Sequence, residues 1–305
     1  MRRLRRALSN GQIVLACAIL GLFFAVAILA PWLAPQDDPE NPSATRAVGN
    51  SRQVMPQPPS KEALLGTAPG QLDIYYSLVW GTRSALRFGL VVAVSTAIIG
   101  VLVGAVSGYA GGTVHGLVMR ITDGFLAFPA IAAVWLFGQV MMPPNVWTER
   151  TPLQQAFYDL NLSPVLLALI LFSWMPYARL TSINMIQLKQ TEYILAARAL
   201  GMRSTRIIRR HLLPNALSPV LVLAARDVGA MVVLAAAFSF IGLGGGTEWG
   251  EMLVMGRDYV IGLGGNPLAY WWVFVPVTLA LVLFGIGWNL LGDGLSTVLD
   301  PHIVR

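Results

Sequence analysis

Arg226 and Asp227 stand side by side well inside the apolar run from Leu217 to Leu243. A charge in hydrocarbon is costly, so such residues pair with a partner or face a water-filled pathway. Neighbouring helical residues point about 100° apart, so these two do not form a simple pair with each other. Structural pairing and pathway lining both stay open for them, and Ser239 on the same run joins them as a pathway candidate. Asp123, three residues after Arg120, reads as an ion pair at the cytoplasmic end of its helix rather than as a proton relay. Other chemistry is not spelled out. His115, His211 and His302 are isolated, and Cys17 is the only cysteine, so neither a metal site nor an internal disulfide is expected. The glycines from Gly242 to Gly246 are not followed by Gly-Lys-Ser or Gly-Lys-Thr, so no phosphate cradle is expected. No nucleophile with a base, and no pair of metal ligands, marks a catalytic residue.

A second group of functional candidates lies outside the apolar runs, from Glu192 to Asn215. Tyr193 to Leu200 is rich in helix formers, Gly201 supplies a left-handed C-cap, Ser204 caps a second short helix, and Pro214 restarts the chain. An amphipathic helix lying on lipid needs a bulky apolar face. This segment instead offers the small Ala196, Ala197 and Ala199 beside Arg198 and Arg206, which suits close contact with another protein.

The elements that position these groups are set by composition. The chain has 305 residues, is 55% hydrophobic and 12% charged, and has a mean hydropathy of +0.63, which marks an integral membrane protein. Six segments are expected to cross the bilayer: Gln12 to Ala30, Leu86 to Tyr109, Arg120 to Met142, Pro164 to Ile186, Leu217 to Leu243 and Tyr270 to Leu291. The first follows Arg2, Arg3, Arg5 and Arg6 and has no clear cleavage site, so it is read as a retained helix. These arginines and the seven basic residues Arg179, Lys189, Arg198, Arg203, Arg206, Arg209 and Arg210 belong on the cytoplasmic side, and six spans allow that. The formal charge of +6 is therefore topological, and no nucleic acid partner is expected.

Pro31 to Arg83, Pro143 to Ser163 and Gly244 to Ala269 fall outside. The first is rich in Pro, Asn, Gln and Ser, with Asp37, Asp38 and Glu40 near its start, and reads as extended rather than folded. Pro143, Pro144 and Trp147 open the second loop. Small residues, Gly100, Gly104, Ala105 and Gly108, then Gly111, Gly112 and Gly116, would let helices approach closely. The expected organisation is a basic N-terminus and first span over 1–34, an external loop over 35–83, a core over 84–292 containing a cytoplasmic loop at 187–215, and a cytoplasmic tail over 293–305.

The segment from Glu192 resembles the EAA loop of ABC-importer permeases, in which Glu-Ala-Ala is followed at fixed spacing by Gly and then by Leu-Pro. Ala196, Ala197, Gly201, Leu213 and Pro214 fit that pattern, while Leu195 replaces the Glu and His211 replaces an apolar residue. Other stretches narrow the resemblance to the inner-membrane permeases of dipeptide and oligopeptide importers, the DppC/OppC type. They are Leu65-Gly66-Thr67 with Gly70 and Asp73, Gly108 to Gly112, Met119-Arg120 with Asp123, Phe128-Pro129, Trp174 with Tyr177-Ala178-Arg179, Ser239 to Gly244, Trp249-Gly250, Asn289 to Leu295, and Leu299-Asp300-Pro301. Family members often carry Glu near the position of Ala235.

That resemblance implies an all-α polytopic protein with the type I ABC importer permease fold, both termini cytoplasmic, in a bacterial or archaeal inner membrane. It implies a second homologous permease, one or two ATPase subunits, and an external substrate-binding protein as partners. ATP and magnesium would be held by the ATPases, with no cofactor in this chain. Glu192, Tyr193, Ala196, Ala197, Arg198, Gly201, Arg206, His211, Leu213 and Pro214 would form the surface that couples to the ATPase. Peptide is the default substrate, with nickel chelates, glutathione or oligosaccharides as alternatives. An ion-gradient-driven transporter is the rival class, but it needs no basic docking loop and commonly shows repeated halves.

Overall fold

The computed structural model describes residues 11–37, 44–49, 55–141, 149–160, 162–244, 246–261 and 267–299. Arg2, Arg3, Arg5, Arg6, Asp38, Glu40, Pro143, Pro144, Trp147, Asn161, Gly245, Asp300, Pro301 and His302 lie outside the described residues.

Among the described residues the architecture is helical apart from one short hairpin. Helix α1 is Gly11–Leu33, the hairpin pairs Thr67–Ala68 (β1) with Leu72–Asp73 (β2), and α2 runs over Ile74–Ala110. Then come α3 (Gly112–Ala127), α4 (Ala130–Met141), α5 (Pro152–Asp159), α6 (Pro164–Phe172), α7 (Met175–Lys189) and α8 (Glu192–Ala199). Helix α9 (Ser204–Ile207) passes through a π turn at Ile208–Leu212 into α10 (Leu213–Phe240), followed by α11 (Glu248–Ile261) and α12 (Trp271–Leu299).

Five segments are long and apolar enough to cross a membrane: α1, α2, α6 with α7, α9 with α10, and Leu268–Leu299. The third expected span, α3 with α4, is a sixth candidate but bends by 79°. Pro129 causes the break: it removes an amide donor and drives Phe128 to φ −79°, ψ 125°, outside the helical region.

The packing of α2 on α7 rests on glycine. A Cβ on Gly104 would press on the carbonyl oxygen of Ala178 and come within 2.8 Å of Thr181 Cβ; one on Gly108 would lie 2.7 Å from the Ser182 carbonyl oxygen. Gly100 meets Tyr177 and the Trp174 carbonyl in the same way. Gly116 and Gly112 have open space instead, so the small-residue stripe is a contact only along α2.

Four features differ from the expectations. Helix α1 is packed into the core rather than hung on a loop: Phe23 meets Trp249 and Phe284 with ring centroids 5.9 and 5.3 Å apart, and Gly294 lies against Ile13. The second membrane helix begins at Ile74 rather than Leu86, because Asp73 caps it by accepting the Tyr76 amide at 3.2 Å. The loop before it is folded where it is described. Arg46 donates to the buried Asp73 at 2.9 Å, and Gly66, at φ +81°, leaves no room for a Cβ between the Gln57 carbonyl and Trp272. Finally, the stretch from Gly244 to Ala269 contains the 14-residue helix α11.

Candidate functional site

Helix α8 begins with Glu192 in its first turn, where a carboxylate complements the helix dipole. It ends in a Schellman turn. The Met202 amide donates to the Ala197 carbonyl at 3.1 Å and the Gly201 amide to that of Arg198 at 2.9 Å, with Gly201 at φ +75°. Ser204 does not cap the next helix: Arg203 occupies the N-cap position and no side chain bonds there.

This turn folds the segment back onto the bundle. Ile194, Ile207 and Leu212 are buried with Met185 and Ala216, and Ala197, Met202 and Tyr109 pack against them. Lys189 ties the same corner by donating to the Tyr109 carbonyl at 2.6 Å, at the end of α2. The π turn falls just before Pro214, which has no amide to continue an α ladder, and the Leu213 amide bonds the Ile208 carbonyl instead. His211 lies edge-on to Tyr193 at 6.4 Å.

What remains outside is a surface. Leu195, Ala196, Ala199 and Gly201 are exposed, and Leu200 is 86% exposed, far more than a large apolar side chain gains from facing water. Arg198, Arg203, Arg206, Arg209 and Arg210 surround it, all exposed. Leu195, Arg198, Lys189 and His115 also line a cavity of about 450 Å3 against the α2–α3 corner. The structure therefore brings the sequence candidates from Glu192 to Pro214 together as one buried anchor and one exposed face. Ala197, Leu213 and His211 belong to the partly buried side, while Glu192, Tyr193, Ala196, Arg198, Gly201, Arg206 and Pro214 are exposed.

The span charges both have partners. Arg226 pairs with Asp293 of α12, and Tyr177 of α7 donates to Asp227 Oδ2 at 2.6 Å. Asp123 pairs with Arg179 of α7 rather than with Arg120. Ser239 does not face a passage: it is 1% exposed and its hydroxyl donates to the carbonyls of Ala235 and Gly244. The fully buried Tyr177 gives Asp227 its donor, so Tyr177→Phe is expected to destabilise the protein by about 1–3 kcal/mol, the usual cost of a buried unpaired acceptor. A thermal melt of the detergent-solubilised protein measures it, and an unchanged midpoint would show that the contact is dispensable.

At the end of the bundle remote from α8, Glu248 and Glu251 lie one turn apart on α11. Burial raises both carboxyls above the ordinary carboxylate range. Sequence reasoning missed them because the stretch read as a loop, although their three-residue spacing ahead of an apolar run was a helix signal.

The chain matches the family model for the binding-protein-dependent transport system inner membrane component over residues 100–305. It is 31% identical to the dipeptide transport system permease protein DppC of Alkalihalophilus pseudofirmus, across 96% of this chain and 87% of that protein. It is 29% identical to the nickel transport system permease protein NikC of Escherichia coli, across 97% and 96%. A chain of the inward-facing MetNI methionine ABC transporter superposes with a TM-score of 0.55 at 22% identity, covering 73% of this chain and 96% of that one.

Proposed function

Because the chain belongs to the family of binding-protein-dependent transport system inner membrane components, we propose that it forms half of the translocation pathway of a di- and oligopeptide importer and receives its drive through residues 192–215. Family membership makes it a multi-pass inner-membrane protein without a catalytic site or cofactor of its own, and implies a binding protein and an ATPase as partners. A second, homologous permease completes the pathway in this proposal. Segment 192–215 faces the cytoplasm, as its arginines favour.

The observation that carries the coupling role is the division of that segment into a buried anchor and a bare apolar face. Leu195, Ala196, Ala199 and Leu200 seat against an ATPase, with the arginines as the charged rim. Leu195 takes the place of the family's Glu, so the contact relies on shape and on the arginines rather than on that carboxylate. Ile194, Met202, Ile207 and Leu212 fasten the seat to α2, α7 and α10. Closure of the ATPases then moves these helices as a body and exchanges which face of the pathway is open.

Peptide is favoured by the similarity to a dipeptide permease, and nickel is the second reading, supported by the similarity to a nickel permease over nearly full length. Reconstitution with the cognate permease, ATPases and binding protein tests both. Dipeptides are expected to raise ATP hydrolysis above its basal rate. Stimulation by a nickel chelate, with peptides leaving the rate at its basal level, would overturn the peptide assignment.

A further inference from the structure

A cavity of about 320 Å3 opens at the end of the bundle remote from α8, away from the coupling surface. That volume lies at the lower end of small-molecule sites, which run from roughly 300 to 1,000 Å3. One wall is the α2 face bearing Arg87 and Phe88, another is the start of α6 at Ser163 and Leu166, and the third is α11 with Glu248 and Glu251. The cavity therefore holds both signs of charge, with Phe88, Val91 and Leu166 among its apolar lining.

Neither sign has an ion-pair partner among the described residues. Arg87 is exposed and makes no ion pair among the described residues. Oε2 of Glu248 is enclosed without a hydrogen-bond partner among the described residues. An enclosed oxygen of a half-buried carboxylate is destabilised until a cation or donor reaches it. An uncharged sugar would leave the guanidinium and both carboxylates unpaired, and a single ion would satisfy only one end.

We propose that this cavity binds the two charged ends of a short peptide in transit, Arg87 taking the terminal carboxylate and Glu248 with Glu251 the terminal ammonium. Phe88 and Leu166 border the apolar part of the ligand. Arg87 suits the role because its planar fork matches a carboxylate in bidentate fashion. The site rests on the peptide reading above and adds to it a contact made after the binding protein has released its load.

The test is uptake of Ala-Ala into vesicles by the reconstituted importer at saturating peptide-loaded binding protein, with ATP hydrolysis followed in parallel. R87Q and E248Q are each expected to lower uptake by about tenfold, as loss of a charge-assisted hydrogen bond does. Stimulated ATP hydrolysis stays near the wild-type rate, because the coupling surface is untouched. E251Q serves where E248Q fails to assemble, and is expected to lower uptake in the same sense. Wild-type uptake by R87Q and by the glutamate variants would overturn the site while leaving the peptide reading intact. So would a parallel fall in hydrolysis and uptake, which marks a structural or coupling defect. A wild-type complex that imports no Ala-Ala would instead overturn the peptide reading itself.

Discussion

Gly201→Val is expected to insert into the membrane normally and yet to lose most of the stimulation of ATP hydrolysis by loaded binding protein. Steric crowding is not the reason, since a Cβ at this position meets nothing within 4 Å. The backbone is: Gly201 sits at φ +75°, where an L-residue is strained by about 1–2 kcal/mol and a β-branched one by more. The whole fold survives a penalty of that size, because global stability is typically about 5–15 kcal/mol. The local equilibrium does not. Strain is relieved by opening the Schellman turn, which withdraws Met202 from its place beside Ile194 and Leu212 and frees α8 from the bundle. A tenfold loss of the seated state corresponds to about 1.4 kcal/mol, close to the strain itself. Gly201→Asn is the control, since Asn tolerates the left-handed region and is expected to retain most of the stimulation. Normal stimulated hydrolysis and transport in the valine variant would mean that the turn does not transmit drive.

The parts of this molecule legible in the sequence are those where a local rule leaves no alternative. A bilayer demands long apolar runs, and five of the six expected runs appear as helical spans without a sharp bend. Gly201 was legible for the same reason, because a helix stop followed by a basic, small-residue stretch has few other uses. The partners of the span charges were not, since Tyr177 lies 50 residues from Asp227, and Asp293 lies 67 from Arg226. Neither separation leaves a periodic trace. The folded loop before α2 was hidden by its composition: Pro, Ser and Gln read as coil, and its order comes from single long-range contacts such as Arg46 with Asp73. Pro129 was visible as a residue, but the 79° bend it permits depends on how α4 packs against α6.

The same logic predicts the largest structural effect in the chain. Gly104→Val is expected to abolish recovery of monodisperse folded protein from the membrane, while Gly116→Val is expected to be recovered like the wild type. Both glycines belong to the same run of small residues, and only the packing separates them. At Gly104 the first added carbon already presses on the Ala178 carbonyl and on Thr181, and most of that obstacle is backbone. Overpacking a core that can adjust costs about 1–3 kcal/mol, but here α7 is held at Gly100 and Gly108 on either side and has nowhere to retreat. Moving it would also pull Tyr177 from Asp227 and Lys189 from the end of α2, the two ties that connect α7 to α10 and to the corner under α8. In the proposed coupling role, close approach of α2 and α7 would serve transmission as well as the fold: a gap opened at Gly104 would let drive applied at α8 dissipate between the helices. Recovery of both variants in equal amounts, by size-exclusion chromatography of detergent extracts, would show that the contact yields more easily than its geometry allows.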